Sequence, residues 1–254
     1  MLQLKNKTAL VTGASRGIGR AIAERLAQEG ALVAVHYARN REAADEAVEH
    51  IREEGGEAFA VQADLGSMTG IRQMFEALDR EWAERTGEAR FDILVNNAGV
   101  PLISPLEELT EQALDEAIAV NVKGMLFVIQ QALPRLRDGG RILNLSSAVT
   151  RIAFPDLIGY SLTKGAVNTI TLTLAKALGP RQITVNAIQP GMTETDMNAA
   201  VFGNPDGRAF AAGLSALGGW AQPEDIADAA FFLSSADSRW VTGQLLEVSG
   251  GTNL

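Results

Sequence analysis

The chain has 254 residues, of which 46% are hydrophobic and 21% charged, so it can bury a substantial core as one α/β domain. Its net charge of -9 disfavours a nucleic-acid partner, because a phosphate-binding surface is basic. No apolar run approaches the roughly 18 residues that a membrane span requires, and the apolar start is too short for a secretory signal. Without cysteine the chain has no disulfide, which fits a reducing, cytoplasmic compartment. His36 and His50 do not form a metal constellation, so we expect no metal.

Short β-branched apolar runs alternate with amphipathic helical stretches along the whole chain. This alternation predicts βαβ units joined by right-handed crossovers into one doubly wound parallel sheet with helices on both faces. The predicted strands cover about 7–12, 32–36, 58–62, 91–95, 140–146, 182–188 and 243–248. The predicted helices cover about 17–29, 40–54, 67–84, 110–136, 157–178 and 223–235. A glycine-rich irregular segment at about 191–222 is typical of a lid or a binding loop.

A glycine-rich turn separates the first strand from the first helix. Its glycines follow the spacing Gly-x-x-x-Gly-x-Gly at Gly13, Gly17 and Gly19. We expect Gly13 to permit the tight turn, Gly17 to let the backbone approach a pyrophosphate, and Gly19 to let the helix pack closely on the strand. The N–H groups at the start of the helix would attract phosphate. The turn therefore predicts a nucleotide cofactor, the plainer alternative being a βα turn that is merely rich in glycine.

Tyr160 and Lys164 stand four residues apart, about one helical turn, so that a phenol and an ammonium would share one helix face. We expect the cation to favour the phenolate and to lower the pKa of Tyr160 toward working pH. A tyrosine in that state can pass a proton to or from a substrate oxygen. Ser147 closes the preceding strand and is expected to hydrogen-bond the same oxygen. Ser146 is its rival, and only the spacing to Tyr160 separates the two.

The glycine spacing resembles that of the short-chain dehydrogenase/reductase family, and further motifs extend the resemblance over nearly the whole chain. These motifs are Asp64-Leu65, Asn96-Asn97-Ala98-Gly99, Asn121, Ser147, Tyr160-x-x-x-Lys164, Pro190-Gly191, and Val241-Thr242-Gly243 through Gly250-Gly251. Within the family the chain is most similar to the bacterial 3-oxoacyl-acyl-carrier-protein reductases and their related ketoreductases. The resemblance implies a Rossmann-type domain, a nicotinamide cofactor and catalysis by the tyrosine and lysine.

The resemblance also implies roles for individual residues. Tyr160 is the general acid in reduction and the base in oxidation, Lys164 also binds the nicotinamide ribose, and Asn121 holds a water that links Lys164 to solvent. Asp64 and Leu65 are expected at the adenine, although Asp64 alone is equally well explained as a helix cap before Ser67. The cofactor-binding residues expected in addition to Tyr160 and Lys164 are Gly13, Ser15, Arg16, Gly17, Ile18, Gly19, Tyr37, Arg39, Asp64, Leu65, Asn96, Ala98, Gly99, Pro190, Gly191, Thr193 and Thr195.

The end of the second strand predicts which nicotinamide cofactor binds. Enzymes that use NAD usually carry an acid there for the ribose 2′-OH, whereas this chain has Tyr37. Arg39 follows, and Arg16 lies in the glycine turn. Two guanidinium groups and no carboxylate favour a 2′-phosphate, so we predict NADP(H). The alternative is that both arginines are solvated surface charges.

The sequence does not fix the substrate, although it offers a set of mainly apolar candidate walls. Such walls suit a carbon chain or ring that bears a ketone. The predicted function is therefore NADPH-dependent reduction of a ketone or aldehyde to an alcohol. The candidate wall residues are Val149, Thr150, Phe154, Leu157, Met192, Met197, Phe202 and Phe210.

A 3-oxoacyl-acyl-carrier-protein reductase is the alternative function. Such reductases dock an acidic carrier protein on a basic patch, and Arg181 stands where one such arginine is expected. The other expected position holds Asp138, although Arg135, Arg137 and Arg141 could still form a local patch. A non-catalytic dinucleotide sensor would normally lack the tyrosine or the lysine, and related epimerases or dehydratases usually carry an added substrate domain.

The two long helices predicted at 110–136 and 157–178 are apolar on several faces, which requires more cover than one sheet provides. Relatives pair these helices across subunits, so we expect a homotetramer, with a dimer as the next possibility. The apolar residues of the first helix include Met125, Phe127, Val128 and Ile129.

Overall fold

The computed structural model describes residues 2–254, which form seven parallel strands in one sheet, flanked by helices on both faces. The strand order is β3-β2-β1-β4-β5-β6-β7, which confirms the predicted doubly wound sheet. The strands are β1 (Thr8–Val11), β2 (Leu32–Tyr37), β3 (Glu57–Gln62), β4 (Phe91–Asn96), β5 (Leu136–Leu145), β6 (Thr184–Pro190) and β7 (Leu245–Val248). The helices are α1 (Gly17–Gln28), α2 (Arg41–Glu53), α3 (Met68–Thr86), α4 (Glu111–Ile118), α5 (Met125–Ala132), α6 (Ile158–Leu178), α7 (Ala199–Phe202), α8 (Pro205–Leu214) and α9 (Pro223–Ser234).

The core consists of two apolar clusters, one on each face of the sheet. Helices α1, α2 and α9 cover one cluster, and α3, α5 and α6 cover the other. Neighbouring strand residues alternate between them, so that Leu10 belongs to the second cluster and Val11 to the first. Because both faces are covered, the strands read as continuous apolar runs. The crevice between the faces is left open at the carboxyl ends of the strands, where such folds bind ligands.

The prediction of one continuous helix over 110–136 is wrong, because the helix is interrupted and ends before 136. A π-helical segment (Ala119–Gly124) separates α4 from α5, and α5 ends at Ala132. Gly124 lies so close to the segment that follows β3 that a Cβ there would stand 2.5 Å from the Leu65 carbonyl oxygen. Leu133 is still helical in conformation, but Pro134 has no backbone N–H to donate and its ring crowds the preceding turn, so the helix cannot continue through it. Strand β5 then begins at Leu136, earlier than predicted, with a register irregularity before Arg141.

The segment predicted as an irregular lid at 191–222 contains two short helices, α7 and α8. Asn204 caps α8 by accepting a hydrogen bond from Gly207 N at 2.7 Å, and Pro205 occupies the first turn. The two ends of the segment are joined by a bridge between Thr193 and Ala221. The segment is therefore a folded flap that leaves the sheet after β6 and returns beside its starting point.

No helix within residues 2–254 combines the length and the apolar character needed to cross a lipid bilayer.

Candidate active site

Tyr160 and Lys164 lie on the face of α6 that covers the end of β5. The Lys164 Nζ atom is 5.5 Å from the centroid of the Tyr160 ring and donates a hydrogen bond of 2.7 Å to the Leu145 carbonyl. The ammonium and the aromatic ring therefore occupy one compartment, as the four-residue spacing predicts.

Buried hydrogen bonds fix the position of α6 along β5. Asn144 Nδ2 donates to Thr171 Oγ1 at 2.9 Å, and both residues are fully buried. Two residues further on, and therefore on the same face, Ser146 Oγ donates to Asn168 Oδ1 at 2.6 Å. A buried polar group that loses its partner costs about 1–3 kcal/mol, so sliding the helix by one turn would be strongly unfavourable. The hydrogen bonds of Asn144 and Ser146 to α6 thus set the position of the Tyr160 hydroxyl group.

Asn121 lies in the π-helical segment and joins the loop after β4 to α6. Its Oδ1 atom accepts from Val100 N at 2.8 Å, and its Nδ2 atom donates to Val100 O at 2.9 Å and to Thr163 Oγ1 at 3.2 Å. The side chain therefore sets the spacing between that loop and the helix that carries Tyr160. Its expected role in holding a water beside Lys164 stays a prediction.

The two candidate serines differ in what their hydroxyl groups contact. Ser146 is buried, and its hydroxyl is engaged with Asn168 and with the Lys164 carbonyl. Ser147 is only partly buried, and its Oγ atom accepts a hydrogen bond from Val149 N at 3.3 Å. The Ser147 O–H therefore remains available as a donor, as the predicted role requires.

One cavity of about 480 Å³ extends from Ser147, Tyr160 and Lys164 to Ile18 of the glycine turn. Within residues 2–254, no three acidic or histidine side chains come together as a metal site. The lining is mainly apolar. The residues that line it include Ile18, Asn97, Gly99, Ser147, Tyr160, Lys164, Pro190, Gly191, Thr193 and Thr195.

Burial moves the pKa values of the tyrosine and the lysine in opposite directions. It raises the pKa of Tyr160 from 10 to about 12 and lowers the pKa of Lys164 from 10.5 to about 8. The expected lowering of the Tyr160 pKa is therefore wrong in direction, because burial removes water from around the phenolate and disfavours the charged form. At neutral pH the tyrosine is a proton donor, and the lysine beside it is charged.

The conformation of the glycine turn requires glycine at positions 13, 17 and 19. Gly13 and Gly17 have φ values of 64° and 55°, in the left-handed region. A Cβ on Gly13 would lie 2.9 Å from the Ala98 Cα atom, and one on Gly19 would lie 2.3 Å from the Gly13 carbonyl oxygen. Gly19 thus lets the helix pack against the turn itself rather than against the strand. The open backbone at the start of α1 fits the pyrophosphate of a dinucleotide.

Asn97 holds this turn, and the sequence analysis assigned it no role. Its Nδ2 atom donates at 2.9 Å to both the Thr12 and the Gly13 carbonyl groups. Asn96 was expected among the cofactor-binding residues, but its side chain is buried and donates to Asn144 Oδ1 at 2.9 Å. Strand alternation explains the difference, because successive residues at the end of β4 point to opposite sides.

The residues at the end of β2 differ in exposure. Tyr37 is buried in the core cluster beneath α1 and α2, so its ring is directed away from the crevice edge. Arg39 is exposed and forms no ion pair within the described chain, whereas Arg16 pairs with Asp196 at 3.4 Å on the surface. Arg39 also lies just before α2, whose N-terminus carries a partial positive charge.

The expected adenine residues follow β3. Leu65 is buried, and Asp64 is exposed with its Oδ1 atom accepting from Gly66 N at 2.9 Å. The cap of α3 is Ser67, which accepts from Gly70 N at 3.0 Å, so the alternative of Asp64 as that cap is wrong. Contact between Asp64 or Leu65 and an adenine ring stays a prediction.

Most of the expected substrate walls line the cavity. Two of them, Thr150 and Phe202, do not line it. The Thr150 hydroxyl accepts a hydrogen bond of 2.7 Å from Gln189 Nε2. Phe202 packs on Trp220 inside the flap, with ring centroids 5.5 Å apart. The expected residues that line the cavity are Val149, Phe154, Leu157, Met192, Met197 and Phe210. Further lining residues not expected from the sequence are Pro101, Leu102, Ile103, Ile152, Val201 and Leu214.

The arginines considered for a docking patch are bound to other groups of the same chain. Arg181 forms an ion pair of 2.7 Å with Asp138. Asp138 occupies the position where a second docking arginine was expected. Arg135 pairs with Asp79, and Arg137 with Glu88 and Asp92. Arg141 binds the carbonyl groups of Gly139, Gly140 and Ser235. Of the arginines in the expected basic patch, Arg135 and Arg137 are therefore paired with carboxylates, whereas Arg141 has only carbonyl partners.

Comparison with known proteins supports the assignment that the site suggests. The family model described as enoyl-(acyl carrier protein) reductase matches residues 13–253. The crystal structure of the angucycline C-6 ketoreductase LanV with bound NADP is 50% identical, with a TM-score of 0.95 over 98% of this chain and 96% of that one. Versicolorin reductase 1 of Aspergillus parasiticus is 38% identical over 98% of this chain and 97% of its own. The 3-oxoacyl-acyl-carrier-protein reductase FabG of Staphylococcus aureus is also 38% identical, over 96% and 97%.

The chain is an oxidoreductase with a Rossmann-type domain. It belongs to the short-chain dehydrogenase/reductase family, as its motifs predict.

Proposed function

We propose that this enzyme uses NADPH to reduce a ketone on an apolar, fused-ring compound to the alcohol. The observation that carries the proposal is the meeting of Tyr160, Lys164 and Ser147 at one apolar cavity that reaches the glycine turn. A hydride donor seated at the turn and a carbonyl group seated by the tyrosine would be neighbours there, which supplies most of the catalytic advantage through fixed geometry.

The residues divide the chemistry between them. Ser147 donates a hydrogen bond to the carbonyl oxygen and stabilises the negative charge that develops on it. Tyr160 donates the proton to that oxygen, and its raised pKa keeps the proton available at neutral pH. Lys164 stabilises the phenolate that remains and binds the nicotinamide ribose. The cofactor, when bound, supplies the hydride.

The choice of NADP over NAD rests mainly on Arg39. Arg39 is exposed and lies in the chain between the end of β2 and the start of α2, where a 2′-phosphate would gain both a charged hydrogen bond and the helix dipole. Arg16 is held only by an exposed pair with Asp196, which is worth at most about 1 kcal/mol and is readily exchanged for a phosphate. LanV carries NADP in its crystal structure.

The apolar cavity favours a ring ketone as the substrate. Its walls come from the flap, from the segment after β5 and from the loop after β4, and they surround the polar centre with aliphatic and aromatic side chains. LanV, named as an angucycline C-6 ketoreductase, and versicolorin reductase 1 are close relatives. The flap at about 191–222 would act as the lid over this substrate.

Reduction of a carrier-bound 3-oxoacyl chain is the second candidate, favoured by the similarity to FabG. The ion pairs of Arg135, Arg137 and Arg181 weigh against it, because each guanidinium already has a carboxylate partner. Arg181 also precedes β6, whereas the cavity lies at the other end of that strand, about 20 Å away within one subunit.

The proposal includes a homotetramer and a cytoplasmic location. Apolar side chains remain uncovered on α5 and α6, the helices predicted to pair across subunits, and such a surface favours contact with another copy of the chain. The absence of cysteine removes any need for an oxidising compartment. The exposed apolar residues on these helices are Leu126, Ile158, Leu162 and Leu172.

Removal of the Tyr160 hydroxyl tests the mechanism. Tyr160→Phe should lower kcat for ketone reduction by at least about a hundredfold, because a general acid contributes about 10²–10⁴. NADPH binding, followed by fluorescence titration, should stay within about twofold of the wild type. Turnover close to the wild-type value would show that the proton comes from another group.

The pH dependence of kcat/KM for reduction should follow the pKa of Lys164 rather than that of Tyr160. Since burial lowers the pKa of Lys164 to about 8, kcat/KM for the ketone should fall above that pH as the ammonium loses its proton. The phenol, with its pKa raised to about 12, stays protonated throughout. A kcat/KM value that stays constant to pH 10 would contradict this assignment.

Cofactor preference should depend on Arg39. Arg39→Ala should lower kcat/KM for NADPH by about 10–100-fold, the worth of a charged hydrogen bond, and leave kcat/KM for NADH nearly unchanged. Arg85→Ala is the matched control, because Arg85 is an exposed arginine that is paired with Glu81 at the far end of α3. Equal losses with both cofactors, or a wild-type enzyme that prefers NADH, would refute the role.

The two candidate substrates can be compared directly by NADPH depletion. We expect a higher kcat/KM for a polycyclic aromatic ketone than for a carrier-bound 3-oxoacyl thioester, since the cavity is apolar and the docking arginines are paired. The Tyr160→Phe protein provides the blank for non-enzymatic oxidation of NADPH. A clear preference for the thioester would make the carrier-protein reductase the correct function.

A further inference from the structure

His36 contacts two parts of the cofactor crevice through its two ring nitrogens. It lies near the end of β2 with only 1% of its surface exposed. Its Nδ1 atom is 3.0 Å from Gly13 N, and its Nε2 atom is 3.2 Å from the Ala63 carbonyl oxygen. A backbone N–H can only donate, so Nδ1 is the acceptor and Nε2 carries the proton that is donated to Ala63.

The Gly13 peptide groups are consequently held by side chains from two strands. His36 binds the Gly13 N–H, and Asn97 Nδ2 donates to the Gly13 carbonyl at 2.9 Å. Gly13 has a positive φ, and its conformation sets the direction in which the turn approaches α1. Backbone hydrogen bonds from Thr12 N to Val95 O and from Ala14 N to His36 O hold the residues on either side, and the two side chains hold the peptide groups of the glycine itself.

The second hydrogen bond of His36 reaches the other wall of the crevice. Ala63 directly precedes Asp64 and Leu65, the residues expected at the adenine. The imidazole thus spans the distance between the glycine turn at the end of β1 and the segment that follows β3. These are the two walls between which a dinucleotide would bind.

We propose that His36 is a positioning residue for the cofactor: by binding Gly13 and Ala63 it fixes the distance between the two walls and thereby sets the affinity for NADPH. This inference rests on the proposed function, since it names a determinant of the same cofactor site. His36 acts through the backbone and does not touch the cofactor. Burial supports this role, because it lowers the pKa of His36 to about 4 and keeps Nδ1 an acceptor at neutral pH.

Three substitutions separate the two hydrogen bonds. His36→Leu removes both and leaves the Gly13 N–H and the Ala63 carbonyl without the imidazole. His36→Asn places an acceptor near the position of Nδ1, and His36→Gln places a donor near the position of Nε2. The matched control is Ser238→Ala, which loses a fully buried hydrogen bond to the Leu233 carbonyl outside the residues that line the cavity.

The measurements are the Kd for NADPH by fluorescence titration, the melting temperature, and kcat at saturating NADPH. We expect His36→Leu to raise Kd by about tenfold or more, the effect of leaving buried groups unpaired. His36→Asn should bind NADPH more tightly than His36→Gln, because it retains the bond to the turn. The kcat at saturation should stay within about twofold of wild type for every variant that folds, because the reacting groups lie elsewhere.

Several outcomes would overturn the inference. A merely structural histidine would lower the melting temperature as Ser238→Ala does and leave the Kd for NADPH unchanged. If His36→Leu does not fold, equal affinities of the Asn and Gln variants would refute the role, and a tighter Asn variant would support it. A wild-type protein that does not bind NADPH would refute the proposed function itself, whereas normal wild-type binding with unaffected variants would refute only the role of His36.

Discussion

The seating of α6 on β5 is the constraint on which the rest of the site depends. Apolar packing alone tolerates sliding, because one aliphatic contact resembles the next, whereas hydrogen bonds are directional and limited in length. The buried pairs of Asn144 with Thr171 and of Ser146 with Asn168 allow one register only. Lys164 adds a charged hydrogen bond to the Leu145 carbonyl. The Tyr160 hydroxyl is therefore positioned by hydrogen bonds between α6 and β5 that are not broken during the reaction.

The same burial that fixes the geometry also decides the resting protonation states. Taking the phenol out of water keeps Tyr160 protonated, and taking the ammonium out of water brings the pKa of Lys164 close to working pH. Tyr160 therefore holds a proton that it can donate, which is the direction that carbonyl reduction requires. Attraction between the two groups becomes important only once the phenol has lost its proton, since the ammonium then faces a phenolate.

The cofactor half of the site is built on a different principle. The conformation of Gly13 in the glycine turn is held by side chains from outside the turn, His36 of β2 and Asn97, which directly follows β4. The two halves meet at one cavity because the strand order reverses beside β1, which leaves the carboxyl ends of β1, β4 and β5 open to the same crevice. The flap closes the cavity from the side of β6, and Glu194 anchors it by accepting hydrogen bonds from Arg208 and Trp220 at 2.8 Å.

The sequence alone determined the sheet and its strands, the glycine turn, and the pairing of Tyr160 with Lys164, because each depends on local periodicity or on spacing within one element. Only the tertiary structure decided which of Asn96 and Asn97 holds the turn, that Phe202 packs inside the flap, and that the docking arginines are neutralised by distant carboxylates. It also reversed the expected shift of the Tyr160 pKa. These properties depend on contacts between residues far apart in the chain and on the exclusion of water, and neither is encoded in the spacing of residue types.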